Sequence, residues 1–109
     1  MKLIYLESPF AGEVCRNIKY ARAAMADSLR RGEFPFASHL LYTQEGILDD
    51  TIPEERKMGM EAGFAFAKKC DASVFYTDLG ISDGMKEGIE RAKEAGREIE
   101  YRTLPEWNE

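Results

Sequence analysis

From its amino terminus the chain alternates short apolar runs with longer stretches in which apolar residues return at helical spacing. Leu3 to Leu6 is an apolar run containing a β-branched residue, which predicts a buried first strand, and Ser8-Pro9-Phe10-Ala11-Gly12 breaks it. From Glu13 onward Val14, Ile18, Ala21, Met25 and Leu29 form one helical stripe, ended by Arg30-Arg31-Gly32. Phe34 to Ala37 predicts a second strand, and Pro35, which has no N–H for a ladder, places it at an edge or a strand start. The stretch 38–50 has no periodicity and reads as a long loop. Thr51-Ile52-Pro53-Glu54 has the pattern of a capping box and opens a helix running to about Lys69. Val74-Phe75-Tyr76 is a third strand, closed by Thr77-Asp78-Leu79-Gly80. Ser82 or Asp83 caps the next helix, whose stripe is Met85, Ile89 and Ala92 and whose stop is Gly96. Glu98 to Arg102 alternates as a last, partly exposed strand, and the tail from Leu104 to Glu109 is expected to fray.

The resulting βαβαβαβ order predicts an α/β fold with a small parallel sheet between helices, and the strand order 2-1-3-4 of a flavodoxin-like three-layer sandwich. In that order the connections after strands one and three leave in opposite directions and open a crevice at their carboxyl ends. The crevice should face 7–12 and 77–85. With 109 residues, 44% of them hydrophobic, the chain fits a single domain over 1–109.

Charge narrows the partners. Charged residues make up 32% of the chain and the net charge is −5, which repels nucleic-acid backbones and anionic lipid at long range. Neither nucleic acid nor membrane is expected as a partner. The apolar start at Met1 to Leu6 is too short for a signal-peptide core, so a cytoplasmic location is expected. Cys15 and Cys70 lie far apart with no second cysteine or histidine at ligand spacing, which predicts free thiols and no metal. The spread of Met58, Met60, Phe64 and Phe66 around the second long helix is wider than one core stripe and predicts a homo-oligomer, a dimer in the simplest case.

Several side chains converge on the predicted crevice. Gly80 to Met85 precedes a helix, so free N–H groups around Ser82, Gly84 and Met85 are placed to hold a phosphate or carboxylate, or simply to start a capped helix. Opposite them, Ser8 offers a hydroxyl and Phe10 an apolar face for a base, with Pro9 between them. Glu7, Asp78 and Glu87 are the carboxylates within reach, and paired carboxylates are what glycosidic cleavage uses. Asp78 is equally a turn residue and Glu87 equally a dipole-favoured first-turn acid, whereas Glu7, adjoining a buried strand, must face the mouth or be paired. His39, the one histidine, and Asn17 on the first helix are further ligand-binding candidates, each with an ordinary packing or solvated-face alternative. No P-loop, complete dinucleotide fingerprint or catalytic triad is present, and no cofactor is expected.

Together, Ile4-Tyr5-Leu6-Glu7-Ser8-Pro9-Phe10 with Asn17, Pro35-Phe36-Ala37-Ser38-His39, Cys70-Asp71, and Ile81-Ser82-Asp83-Gly84-Met85 with Ala92 and Gly96 resemble the nucleoside 2-deoxyribosyltransferase-like superfamily, especially its small bacterial and phage members. The resemblance implies a nucleoside or nucleotide site in the crevice and frequent oligomerisation. It also implies a nucleophilic glutamate four residues after the glycine matched by Gly84. That position is Gly88 here, and position seven, small in the relatives, is Glu7. Three functions follow as alternatives: a module that binds a nucleoside or nucleotide-like molecule without catalysis, an N-glycosidase or deoxyribosyltransferase using Glu7 or Glu87, and an interaction protein with a relic crevice.

Overall fold

A computed structural model describes residues 2–107. Its strands are β1 (Leu3–Glu7), β2 (Phe34–Phe36), β3 (Ala72–Tyr76) and β4 (Glu98–Arg102), all parallel and ordered β2-β1-β3-β4. The helices are α1 (Val14–Arg30), α2 (Ser38–Leu41), α3 (Pro53–Ala67) and α4 (Asp83–Glu94), followed by a 3₁₀ turn over Pro105–Trp107. This is the flavodoxin-like α/β arrangement expected from the pattern, with Pro35 in an edge strand. No described helix is long and apolar enough to cross a membrane.

Alternation along the strands assigns the two faces of the sheet. Ile4, Leu6, Ala72, Val74 and Tyr76 point to the side of α1, where they meet Tyr20 and Ala24. Tyr5 points to the other side and packs with Phe64 and Ala67 of α3. Glu7, two residues on from Tyr5, therefore lies on the α3 and α4 side.

Four expectations are corrected. The buried face of α1 is Asn17, Tyr20, Ala21, Ala24 and Ser28, whereas Val14 and Leu29 of the expected stripe are exposed. The polar members can be buried because each is bonded: Asn17 Nδ2 donates to Phe10 O, Tyr20 Oη to Asp78 and Ser28 Oγ to Glu33. The stretch 38–50 includes helix α2. Thr51 does not cap α3, whose N-cap is Ile52 without a side-chain bond; Thr51 donates instead to Asp49 Oδ1, and Glu55 reaches back to accept from Asp49 N. The tail does not fray over 104–107: Leu104 is buried and Trp107 packs edge-on against Tyr20, while 108–109 lie outside the described residues.

At α4 the cap is Ser82, whose Oγ accepts from Met85 N at 3.3 Å. On α3, Phe64 is buried and Met58 and Phe66 are exposed, with Phe66 stacked on Phe36 at 4.4 Å between ring centroids. Cys15 and Cys70 are both free thiols.

Candidate functional site

A cleft opens beyond the carboxyl ends of β1 and β2, on the side of the sheet that carries α3 and α4. It encloses about 750 Å³ of space, its open mouth included. The end of β1 supplies Tyr5, Glu7, Ser8 and Phe10; α2 and the segment after it supply Ser38, His39, Tyr42, Thr43, Leu48 and Asp50. Helix α3 adds Glu55, Arg56, Gly59, Met60 and Phe64, and the start of α4 adds Ser82, Gly84 and Met85. Aromatic and thioether surfaces thus alternate with hydroxyls, an imidazole and a guanidinium.

Of the residues expected at the site, Glu7, Ser8, Phe10, His39, Ser82, Gly84 and Met85 are brought together in this cleft. Pro9, Asn17, Asp78 and Glu87 do not line it. Asn17 does turn toward the first loop, but its amide is used on the carbonyls of Phe10 and Ala11. Asp78 accepts from Tyr20 Oη and from Leu104 N, pinning the end of β3 to α1 and to the tail. Glu87 is half-exposed and ion-paired with Arg91 at 3.3 Å.

Polar groups inside the cleft are mostly paired. Ser8 Oγ and His39 Nε2 share a hydrogen bond of 2.7 Å, and Tyr5 Oη and Ser38 Oγ share another of 2.7 Å. His39 is partly buried in the cleft wall, and that burial pushes its pKa down to about 4, so it is neutral at pH 7. Arg56 reaches across from α3: its Nη1 lies 3.2 Å from Asp50 Oδ2, and its Nη2 would be 3.6 Å from a Cβ on Gly84.

Glu7 is the exception. It is 8% exposed, and its Oε2 is the one buried side-chain nitrogen or oxygen among the described residues with no hydrogen-bond partner. The carboxyl rests in the space left by Gly88 on α4. A Cβ built on Gly88 would fall inside that carboxyl group, 2.6 Å from Glu7 Cδ and closer still to Oε2. Burial raises the Glu7 pKa to about 8; Arg97 opposes the rise and Glu87 reinforces it. At neutral pH the group is a carboxylic acid rather than a carboxylate.

The sequence reading missed Arg56, Asp50, Glu55 and Tyr42. For Tyr42 and Asp50 the signal was the length of the aperiodic 38–50 stretch, since a long loop in a small domain is often a binding element; Glu55 and Arg56, on α3, carry no local signal.

Residues 2–102 match the model of a family described as a domain of unknown function, DUF7768. The chain belongs to the DUF7768 family. Among solved structures it is similar to a 2-deoxyribosyltransferase from the psychrotolerant bacterium Bacillus psychrosaccharolyticus, described as a biocatalyst for the synthesis of nucleosides. The two are 18% identical, with a TM-score of 0.64 over 93% of this chain and 72% of that one. That likeness shows a shared fold for this DUF7768 member. No curated protein matches the sequence.

Proposed function

We propose that this DUF7768 protein binds a nucleoside or nucleotide-like molecule in the cleft and does not cleave it. The observation that carries the reading is the seating of Glu7 on Gly88. The superfamily resemblance puts a nucleophilic glutamate at position 88, extending from α4 toward the sugar. Here the carboxyl from β1 fills the point where such a side chain would begin, so it lies a few bond lengths deeper than a glutamate at 88 would reach. Displacement at an anomeric carbon needs the attacking atom about 3 Å from it, and a misplacement of about 1 Å can cost on the order of a hundredfold. A neutral carboxyl is also a poor nucleophile. The rest of the cleft is suited to binding: aromatic walls for a base, and Ser82, the N–H groups of α4 and Arg56 for hydroxyls or a phosphate.

The test is calorimetry with a panel of nucleosides and their 5′-monophosphates, with chromatography of the same mixtures for free base. At least one compound should bind, and no base should be released. Gly84→Asp adds a carboxylate to the cleft wall at a helix start, where an acid is compatible with folding, and should abolish binding. Unchanged affinity in Gly84→Asp would move the site elsewhere, and base release by the unmodified protein that disappears in Glu7→Gln would overturn the binding-only reading. A single Gly88→Glu substitution is not the way to restore a nucleophile, because it collides with Glu7. The double variant Glu7→Ala/Gly88→Glu clears the space and is the variant expected to gain base release.

A further inference from the structure

We propose that Glu7 is the specificity-determining residue of the cleft: its carboxyl group, seated over Gly88, hydrogen-bonds an uncharged polar group of the bound molecule and turns away an anionic group. This rests on the nucleoside-binding reading above and names which part of the ligand meets which wall.

Three observations converge on it. The carboxyl is held in place by backbone geometry, because only a glycine at 88 leaves room for it against α4. Its neighbours in the cleft are already satisfied, Ser8 by His39 and Tyr5 by Ser38, while Oε2 has no partner. Oε2 is enclosed against Gly88, so Oε1 is the carboxyl oxygen that a bound molecule can reach. Finally, Glu7 lines the cleft, with one carboxyl oxygen against Gly88 and the other toward the lining.

The charges around Glu7 decide its form. Glu87 on α4 disfavours ionisation, Arg97 before β4 favours it but donates to Ser73 Oγ at 2.8 Å, and Tyr5 on β1 and His39 on α2 are both neutral. Burial outweighs them, leaving a neutral acid up to a pH of about 8. The reachable oxygen of a neutral carboxyl either donates an O–H or accepts as a carbonyl, which suits an uncharged polar group of a nucleoside. A phosphate offers only acceptors and negative charge, so it belongs at the other end of the cleft, beside Arg56 and the start of α4.

The probes are adenosine and cytidine, neither of which titrates between about pH 6 and about pH 9, so any pH dependence belongs to the protein. Titration calorimetry is run at both pH values on the unmodified protein, Glu7→Gln and Glu7→Ala, with circular dichroism confirming the fold at each pH. The better of the two nucleosides should bind the unmodified protein about tenfold more weakly at the higher pH, as Glu7 ionises. Glu7→Gln, which keeps a donor and an acceptor, should bind equally at both. Glu7→Ala should bind at least about tenfold more weakly than Glu7→Gln at the lower pH, where no ionisation intervenes. Binding that ignores both pH and Glu7→Ala would overturn this inference and leave the cleft reading standing. No binding of either nucleoside to any of the three proteins would count against the cleft reading itself.

Discussion

Replacing Gly63 with alanine is expected to destabilise the protein by on the order of 3 kcal/mol, although alanine is the better helix former. Gly63 lies inside α3, where it is packed against the end of β1 and the start of α2. A Cβ there would sit 2.8 Å from Ser38 Cβ and would strike both oxygens of the Tyr5–Ser38 hydrogen bond. Neither obstacle is the free end of a mobile side chain: Tyr5 is buried in the sheet and Ser38 is the first residue of α2. Overpacking of this kind costs about 1–3 kcal/mol, and a buried hydroxyl that loses its partner costs a further 1–3 kcal/mol or so. The helix-propensity gain of about 1 kcal/mol does not offset them. For a domain of this size each kcal/mol lowers the melting temperature by roughly 4–8 °C. Thermal denaturation followed by circular dichroism checks it, and a variant melting at or above the parent would show that the α2–α3 contact is looser than described.

The other large effect depends on pH. Glu7 ionises near 4.5 in an unfolded chain and near 8 in the folded one. Between those values the folded state holds a proton that the unfolded state has lost, so rising pH favours unfolding, by about 1.4 kcal/mol per pH unit. Below the lower value both states are protonated and the effect vanishes; above the upper value both are ionised and it stops growing. Glu7→Gln keeps the shape of the protonated acid and removes the titration. Its stability should match the parent near pH 4.5 and exceed it by a steadily widening margin up to about pH 8, as read by urea denaturation across that range. A margin that stays flat with pH would show that Glu7 is ionised in the folded protein.

Strand order was legible because the apolar runs at 3–6 and 74–76 and the stops at Gly32 and Gly96 are local signals that agree with one another. The face of α1 was not, because periodicity treats Asn17, Tyr20 and Ser28 as poor core residues, while tertiary bonds to Phe10, Asp78 and Glu33 make them good ones. Helix α2 is too short to carry a period. At the site, the sequence drew attention to both Glu7 and Gly88, yet suggested that Glu7 must be paired or solvent-facing. Glu7 does line the cleft, but it is only 8% exposed and its Oε2 is unpaired, and burial neutralises it. That glutamate and glycine fill one another's space is a fact of tertiary packing between β1 and α4, which no local pattern encodes. Arg56 was overlooked for the same reason, since its role comes from the approach of α3 to the start of α4.

Native mass spectrometry of the protein mixed with the nucleoside or nucleotide that calorimetry selects separates binding from cleavage. Because the cleft is read as binding without breaking the glycosidic bond, the complex should carry the full mass of the intact compound, in one copy per chain, and release it unchanged on gentle activation. A covalent adduct with the mass of the sugar alone, or a shift that vanishes in Glu7→Gln while free base accumulates, would contradict it.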